Sequence, residues 1–236
     1  MPNMLRLQKV NCFYGKSHVL HDASLEIRER ELVGMVGRNG VGKTTTLKSI
    51  MCLVPPKTGM IEFDGADLSQ LKPYQIPRNG ISYVPQGRHL FPKLTVLENL
   101  KITIVEGRPA PGVLDEVLSY FPRLQERLNQ KAGTLSGGEQ QMLAVGRALM
   151  TRPKLILMDE PTEGLMPILV QFIADTVRAI NEKGAAILLV EQNLRNVQAI
   201  CERIYIMEKG SVVYEGTCAE LVEAVDIQER YLGVKV

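Results

Sequence analysis

A glycine-rich stretch at residues 37–45 carries the residue types that bind a polyphosphate. It reads Gly-Arg-Asn-Gly-Val-Gly-Lys-Thr-Thr and fits the pattern G-x-x-x-x-G-K-[ST], in which backbone N–H groups surround phosphates. Lys43 can reach the β- and γ-phosphates as a point charge, and the Thr44 hydroxyl can ligate Mg²⁺. The candidate phosphate-binding residues are Gly37, Arg38, Asn39, Gly40, Gly42, Lys43, Thr44 and Thr45.

Two consecutive acids, Asp159 and Glu160, follow the apolar run Leu-Ile-Leu-Met at residues 155–158. In a parallel α/β sheet, ligands bind outside the carboxyl ends of the strands. An acid at that edge, beside a phosphate loop, can hold hydrated Mg²⁺, and a second acid one residue on can orient or deprotonate a water molecule. The alternative is a polar loop start without a catalytic role, and it becomes the better interpretation only if residues 37–45 do not bind phosphate.

A third unusual stretch is Leu-Ser-Gly-Gly-Glu-Gln-Gln at residues 135–141, where a helix is predicted to begin. Ser136 and Glu139 have the spacing of a capping box, which explains these two residues by helix stability alone. Capping does not explain Gly137 and Gly138, because each glycine weakens the first turn of a helix. Glycines there expose backbone N–H groups and let an anion approach closely. A second phosphate-binding helix start is therefore the more specific interpretation.

The elements that position these residues alternate between strands and helices. An apolar run at residues 32–36 precedes the glycine-rich stretch and helical spacing at residues 44–53 follows it, which argues against a surface turn that only matches the pattern. Alternation of this kind predicts a mostly parallel, buried sheet, beside an antiparallel sheet from the N-terminal strands. The other predicted strands are 5–10, 19–27, 60–63, 80–86, 155–158, 185–190, 204–207 and 212–214, and the other predicted helices are 97–105, 113–121, 137–149, 167–182 and 194–201, with a loop at 106–112.

Composition excludes several classes of function. The chain has 236 residues, of which 45% are hydrophobic and 23% charged, as in a soluble globular protein. A net charge of +2 without a long basic run argues against sequence-independent nucleic-acid binding. The four cysteines have no zinc-site spacing and are too few for a disulfide scaffold. The N-terminus lacks the apolar core of a signal peptide, and no apolar run is long enough to span a bilayer, so we expect a partner to provide any link to a membrane.

Together these motifs resemble one family. In chain order they are Tyr14, residues 37–44, Gln86, residues 135–141, residues 155–160 and the strand before Gln192. The set resembles the nucleotide-binding subunit of an ATP-binding cassette transporter over nearly the whole chain, and Leu-Ser-Gly-Gly-Glu between a phosphate loop and a Walker B strand is highly specific. The resemblance implies an α/β P-loop NTPase core with a mostly parallel sheet, an N-terminal antiparallel β subdomain and a helical insertion. It implies a single domain over residues 1–236, with the core at 1–86 and 150–236 and the helical subdomain at about 87–149.

The resemblance also implies roles for individual residues. Tyr14 stacks on the adenine of ATP, with a core tyrosine at a strand end as the alternative. Lys43 and the loop amides bind the phosphates of ATP, and Thr44 and Asp159 hold Mg²⁺, Asp159 through water. Gln86 contacts Mg²⁺ and the attacking water and senses the membrane partner; the alternative is an ordinary polar residue at a strand end.

Two further roles concern catalysis and assembly. The resemblance makes Glu160 the general base. It places Ser136, Gly137 and Gly138 against the γ-phosphate of ATP bound to the other subunit. The active unit is then a head-to-tail pair with two ATP molecules at its interface, and catalysis is mostly positioning and charge stabilisation.

Two positions depart from the family pattern. The family usually has a histidine after the strand at 185–190, where this chain has Gln192. Glutamine can still take part in catalysis by hydrogen-bonding the γ-phosphate or water, but it cannot carry charge. The family's usual aspartate after the Walker B turn is replaced by Met166. A regulatory nucleotide-binding subunit with weak hydrolysis is therefore an alternative to an active ATPase.

Three short stretches, Val-Glu-Gln-Asn, Pro-Thr-Glu-Gly-Leu and Val-Pro-Gln-Gly-Arg, resemble one subgroup of importers for branched-chain amino acids and related amides, including urea. Transporters of that subgroup commonly pair two different ATP-binding subunits. The resemblance implies an ATPase that powers amino-acid import from the cytoplasmic face of the membrane. Its partners are membrane-spanning permease subunits and a second ATP-binding subunit.

The permease is expected to dock a short helix around residues 86–111, where Phe91, Pro92 and Leu94 line the groove or serve the core. Two alternatives remain for the function. One is an importer ATPase for urea or short-chain amides. The other is a soluble cassette ATPase that acts on DNA or ribosomes, which the lack of a basic patch and of a long coiled-coil insert disfavours.

Overall fold

The computed structural model describes residues 3–104 and 110–233. Within these ranges the strands are β1 (Asn3–Tyr14), β2 (Ser17–Arg28), β3 (Leu32–Val36), β4 (Thr58–Phe63), β5 (Ala66–Asp67), β6 (Ile81–Val84), β7 (Leu155–Asp159), β8 (Ala186–Glu191), β9 (Arg203–Glu208) and β10 (Ser211–Thr217). The helices are α1 (Lys43–Ile50), α2 (Val96–Lys101), α3 (Val113–Tyr120), α4 (Pro122–Gln125), α5 (Gly137–Leu149), α6 (Pro167–Glu182), α7 (Leu194–Ile200), α8 (Cys218–Glu223) and α9 (Val225–Ile227).

The larger sheet has the strand order β10-β9-β3-β8-β7-β6. All its neighbouring strands are parallel except the hairpin of β9 and β10. Strands β7 and β8 are buried along their whole length, as expected of strands covered on both faces. Val36, the last residue of β3, pairs with Glu191, the last residue of β8. Asp159, the last residue of β7, pairs with Val190 of β8. The ends of β3, β7 and β8 therefore converge where a ligand is expected.

The smaller sheet is antiparallel, in the order β2-β1-β4-β5. It packs with α1 over one face of the larger sheet, and α5, α6 and α7 cover the opposite face. Side chains of β8 alternate between these two cores, because successive residues of a strand point to opposite faces. Leu188 and Val190 belong to the first core, whereas Ile187 and Leu189 belong to the second.

The predicted elements are present; α5 and α6 have the predicted ends, and the ends of most others differ by a few residues. Helix α1 ends at Ile50, before the predicted end at residue 53, because Cys52 takes the left-handed conformation with φ 53°. Helix α2 ends at Lys101 instead of residue 105. The last residue of that predicted helix, Val105, and residues 106–109 of the predicted loop lie outside the described residues. In the described part of the chain, no helix is both long and apolar enough to cross a bilayer.

Candidate active site

The glycine-rich loop joins the buried strand β3 to the start of α1. Gly42 precedes the helix with φ 111°, a left-handed conformation that strongly favours glycine. Lys43 is the first helical residue, and its ammonium donates hydrogen bonds to the carbonyl oxygens of Gly37 at 2.8 Å and Arg38 at 3.2 Å. The bonds hold the lysine inside the curve of its own loop. Of the other predicted loop residues, Arg38, Asn39 and Gly40 are exposed and Thr45 is buried.

Asp159, the last residue of β7, reaches the same loop. Its side chain accepts a hydrogen bond from the Thr44 hydroxyl at 3.1 Å through one oxygen, and from the Tyr83 hydroxyl at 3.0 Å through the other. The residue is 1% exposed, and this burial raises the pKa of its carboxyl, although the two hydrogen bonds oppose the rise. Sequence analysis had not assigned Tyr83 a part in the site.

The donor set at Thr44 and Asp159 fits Mg²⁺. Among the described residues, no three His, Cys, Asp or Glu side chains gather into a metal-binding group. Mg²⁺ does not require such a group, because it is usually held by one or two carboxylates together with substrate phosphates and water. A hydroxyl and a buried carboxylate 3.1 Å apart, beside a phosphate loop, provide this arrangement.

Glu160 begins the turn after β7 and faces Lys43. The Lys43 ammonium lies 3.4 Å from the Glu160 carboxylate, and their side chains are 4% and 9% exposed. The backbone of Glu160 has φ 47°, a conformation that costs a residue other than glycine about 1–3 kcal/mol and persists only where its surroundings hold it. Its N–H donates to the carbonyl oxygen of Val190 at 2.8 Å, which holds the turn against β8.

Gln86 joins this group from the end of β6. Its amide nitrogen donates to the Glu160 carboxylate at 3.3 Å and to the Glu163 carboxylate at 2.9 Å. One set of contacts joins Thr44 to Asp159 and another joins Lys43 and Gln86 to Glu160, and the two sets lie side by side because Lys43 precedes Thr44 and Asp159 precedes Glu160 in the chain. We refer to these five predicted site residues as the active-site cluster: Lys43, Thr44, Gln86, Asp159 and Glu160. Sequence analysis had not singled out Glu163, which shares the amide of Gln86.

Gln192 lies at the edge of this group. It is exposed in the turn after β8, and it lines a cleft of about 450 Å³ together with Glu160 and Glu163. The residue before it, Glu191, is buried and accepts hydrogen bonds from Thr162. Sequence analysis missed Glu191, although a charged residue that completes an otherwise apolar strand was a signal that could have found it.

The predicted capping box at the start of α5 is confirmed. The Ser136 hydroxyl accepts from the backbone N–H of Glu139 at 3.4 Å, and the N–H and hydroxyl of Ser136 donate to the Glu139 carboxylate at 2.9 and 2.8 Å. Gly137 is exposed, whereas a Cβ on Gly138 would lie only 2.4 Å from a methyl group of Leu169 on α6. Close packing of α5 on α6 is thus a second reason for a glycine at position 138. Gly137 lies beside the guanidinium of Arg88, and the Glu139 carboxylate also pairs with Arg127 at 2.9 Å.

Tyr14 ends β1 at a tight turn in which it pairs with Ser17. Its side chain is 46% exposed, so the alternative of a core tyrosine is wrong. An exposed aromatic ring at this position is available for stacking on a base.

Comparison with known sequences identifies extended similarity. Residues 20–163 match the family described as "ABC transporter". The chain is 42% identical over 232 residues to the high-affinity branched-chain amino acid transport ATP-binding protein BraG of Pseudomonas aeruginosa, covering 98% of this chain and 100% of that protein. It is 37% identical over 234 residues to the probable branched-chain amino acid transport ATP-binding protein LivF of Archaeoglobus fulgidus, covering 98% of this chain and 99% of that protein.

Solved structures are similar over the same extent. A nucleotide-free ATP-binding cassette from an ABC transporter matches with a TM-score of 0.88 and 26% sequence identity, covering 100% of both chains. A dimeric bacterial ABC transporter cassette matches with a TM-score of 0.82 and 29% identity, covering 91% of this chain and 99% of the other. The similarity therefore includes both sheets and the helices between β6 and β7.

Proposed function

Since the chain belongs to the ABC transporter family of ATP-binding proteins, we propose that it powers the import of branched-chain amino acids. Membership confirms the resemblance inferred from the motifs, the α/β fold class, nucleotide binding and ATP hydrolysis. The direct contacts within the active-site cluster are the observation that carries the proposed site. Identity to BraG and LivF over nearly the whole chain supports the transported class.

The proposed mechanism assigns binding to the loop and catalysis to the turn after β7. Lys43 and the loop N–H groups bind the phosphates of ATP, and the exposed ring of Tyr14 stacks on its adenine. Thr44, Asp159 and Gln86 are the residues that would hold Mg²⁺, Asp159 through water. When bound, Mg²⁺ neutralises charge that develops on the phosphate oxygens.

Hydrolysis requires a base and an oriented water molecule. Glu160 is the proposed base, because its carboxylate lies beside Lys43 and is connected to Gln86. Gln86 is proposed to orient the attacking water through its amide. Gln192 can hydrogen-bond the water or the γ-phosphate, and its exposure at the cleft supports this contribution.

The remaining part of the site is proposed to come from a second ATP-binding subunit. Ser136, Gly137 and Gly138 would contact the γ-phosphate of ATP bound to that subunit. Among the described residues, Ser136 bonds within the start of α5, Gly138 packs against α6 and Gly137 lies beside the Arg88 guanidinium. These contacts are separate from those of the active-site cluster, which supports a role toward a different molecule. The similar cassette that is dimeric supports the same arrangement.

The alternative functions are less well supported. Relatives named for branched-chain amino acid transport do not favour an importer for urea or short-chain amides. Gln192 and Met166 motivate a regulatory subunit with weak hydrolysis, but the ion pair of Lys43 with Glu160 and the hydrogen bond of Thr44 to Asp159 favour an active enzyme.

The permease subunits are proposed to bind at a cavity of about 900 Å³ whose described lining comes from β6, α5 and residues 102–104. We call this cavity the docking groove, and its lining includes Tyr74, Phe91, Ile102, Ile104, Arg147 and Met150. Phe91 is part of this lining, whereas Pro92 packs against Gly133. Binding of the permease at this groove would attach the chain to the cytoplasmic face of the membrane. We propose that residues 87–149 are the helical part of a single domain.

Two polar side chains that bond the backbone shape this groove, the buried Asn99 and the half-buried Arg147. Asn99 is fully buried and its amide bonds the backbone of Phe91, Leu94 and Thr95, which fixes the loop before α2. The Arg147 guanidinium donates to the carbonyl oxygens of Arg88 and His89. Since both sets of bonds end on backbone atoms, the groove is held in shape before any partner binds.

A variant with Tyr74→Glu and Ile102→Glu tests this docking groove. Both side chains are exposed in the groove, and burying two unpaired carboxylates under an apolar partner helix costs several kcal/mol. We expect the variant to lose co-purification with the permease subunits. Val222→Glu, on exposed α8 and outside the groove, is the matched control and should still co-purify. Co-purification of the double variant at the wild-type level would contradict the assignment.

Transport in proteoliposomes tests the proposed substrate class. The chain would be reconstituted with its permease subunits and the second ATP-binding subunit, and ATP-dependent uptake of radiolabelled leucine, isoleucine and valine would be compared with uptake of urea. We expect uptake of the branched-chain amino acids and background levels for urea. Uptake of urea with background levels of all three amino acids would overturn the proposed substrate class and leave the ATPase assignment in place.

A further inference from the structure

Glu191 is a buried carboxylate that the mechanism above does not use. It ends β8 and is 3% exposed, next to Gln192 and at the edge of the sheet where β3 and β7 also end. Burying a carboxylate is unfavourable unless its oxygens accept hydrogen bonds. The bonds that Glu191 makes therefore indicate why an acid is present at this position.

These bonds tie together three segments of the chain. One oxygen of Glu191 accepts both the backbone N–H of Thr162 at 3.0 Å and the Thr162 hydroxyl at 2.7 Å. The same hydroxyl accepts a hydrogen bond from the side-chain amide of Asn196, on α7, at 2.8 Å. The turn after β7, the end of β8 and helix α7 are thus joined by one buried set of hydrogen bonds.

The turn held in this way begins with Glu160, which has the left-handed φ of 47°. The turn is attached to two consecutive residues of β8, by the N–H of Glu160 to Val190 and by Thr162 to Glu191. Pro161 lies between these attachments, and its ring fixes its φ. Because Pro161 restricts the backbone between them, a displacement of Thr162 would also displace Glu160.

Resting on the proposed function, we propose that Glu191 is a positioning residue for ATP hydrolysis. Its carboxylate holds Thr162, and thereby keeps Glu160 in the strained conformation that faces Lys43 and Gln86. The hydrogen bonds of the Glu191 carboxylate lead to Thr162 and so to the turn that carries Glu160, so we assign it a role in the rate of hydrolysis and not in the binding of ATP.

The protonation state of Glu191 shows which substitution would keep its hydrogen bonds to Thr162. Burial raises the pKa of its carboxyl to about 7, with the nearby Glu160 carboxylate adding to the rise and the bonds from Thr162 opposing it. The neutral form is thus accessible near neutral pH, and its carbonyl oxygen can accept the same two bonds. The amide oxygen of glutamine has the same shape and the same capacity to accept.

Steady-state ATPase kinetics of four variants test the proposal, with folding checked by circular dichroism. Glu191→Ala should lower kcat by about 10- to 100-fold, as expected when a catalytic group is displaced by roughly 1 Å. Its KM for ATP should stay close to the wild-type value. Glu191→Gln should keep kcat within about threefold of wild type, because the acceptor remains. Thr162→Val, which keeps the N–H and loses only the hydroxyl, should lower kcat by an intermediate amount.

Thr176→Val is the matched control, because Thr176 is a buried threonine whose hydroxyl bonds the carbonyl oxygen of Phe172 within α6. It should keep the wild-type kcat. A folded Glu191→Ala variant with wild-type kcat would overturn the proposal, as would an equally large loss in Glu191→Gln. If Glu191→Ala does not fold, a wild-type kcat in Thr162→Val overturns it. Absence of ATPase activity in the wild-type protein with its partners would instead overturn the proposed function, and the inference with it.

Discussion

Glu160→Gln is expected to lower the ATPase rate by about 10²- to 10⁴-fold, the usual contribution of a general base, while ATP binding stays close to wild type. The glutamine amide fills the same space but cannot accept a proton from water. ATP binding should persist, because Lys43 and the loop N–H groups are the groups proposed to bind its phosphates. The rate would be measured by phosphate release at saturating ATP, and binding by isothermal titration calorimetry.

Glu163→Gln is the matched control for this prediction. It makes the same change of charge on the same turn, at a carboxylate that also accepts from the Gln86 amide. Because Glu163 is exposed and lacks the contact with Lys43, we expect its rate to fall by less than about tenfold. An equal decrease of the ATPase rate in Glu160→Gln and Glu163→Gln would contradict the assignment of Glu160 as the base.

Lys43→Ala is expected to weaken ATP binding by roughly 10- to 100-fold, since hydrogen bonds to charged groups contribute about 1.5–3 kcal/mol. The substitution also leaves the nearly buried Glu160 carboxylate without its ion-pair partner, so the nucleotide-free protein should lose stability as well. Calorimetry with ATP and thermal unfolding with and without ATP would measure the two effects.

The control for this variant lies on the same helix. Lys48→Ala removes the same charge from the last turn of α1, away from the loop carbonyl oxygens that hold Lys43. Its affinity for ATP should remain within about threefold of wild type, because a charge without direct contact to phosphate contributes little in water. Wild-type affinity in Lys43→Ala would show that the loop N–H groups bind ATP without the lysine and would contradict its role.

The local parts of this site are predictable from the sequence, because each depends on neighbouring residues. The phosphate loop depends on the glycines between β3 and α1, and the capping box depends on Ser136 and Glu139. Helix α6 was predicted with its observed ends, Pro167–Glu182, because proline favours the first turn and the apolar side chains follow helical spacing.

The contacts that the sequence did not reveal join residues from different strands. Tyr83 on β6 reaches Asp159 on β7, and Thr162 reaches Glu191 on β8. These pairs depend on the order and register of parallel strands, which a single sequence pattern does not contain. The close contact of Gly138 with Leu169 is also not predictable from a single sequence, because it depends on how α5 packs against α6.

If two ATP-binding subunits complete each site, the ATPase rate per subunit depends on protein concentration. The ATPase rate would be measured for the chain alone and mixed with a partner ATP-binding subunit. We expect the rate per subunit to rise with protein concentration toward a plateau in at least one of these series. The Glu160→Gln variant should lose this ATPase activity. An active protein whose rate per subunit is constant in both series, including at the lowest concentrations, would contradict a site built from two subunits.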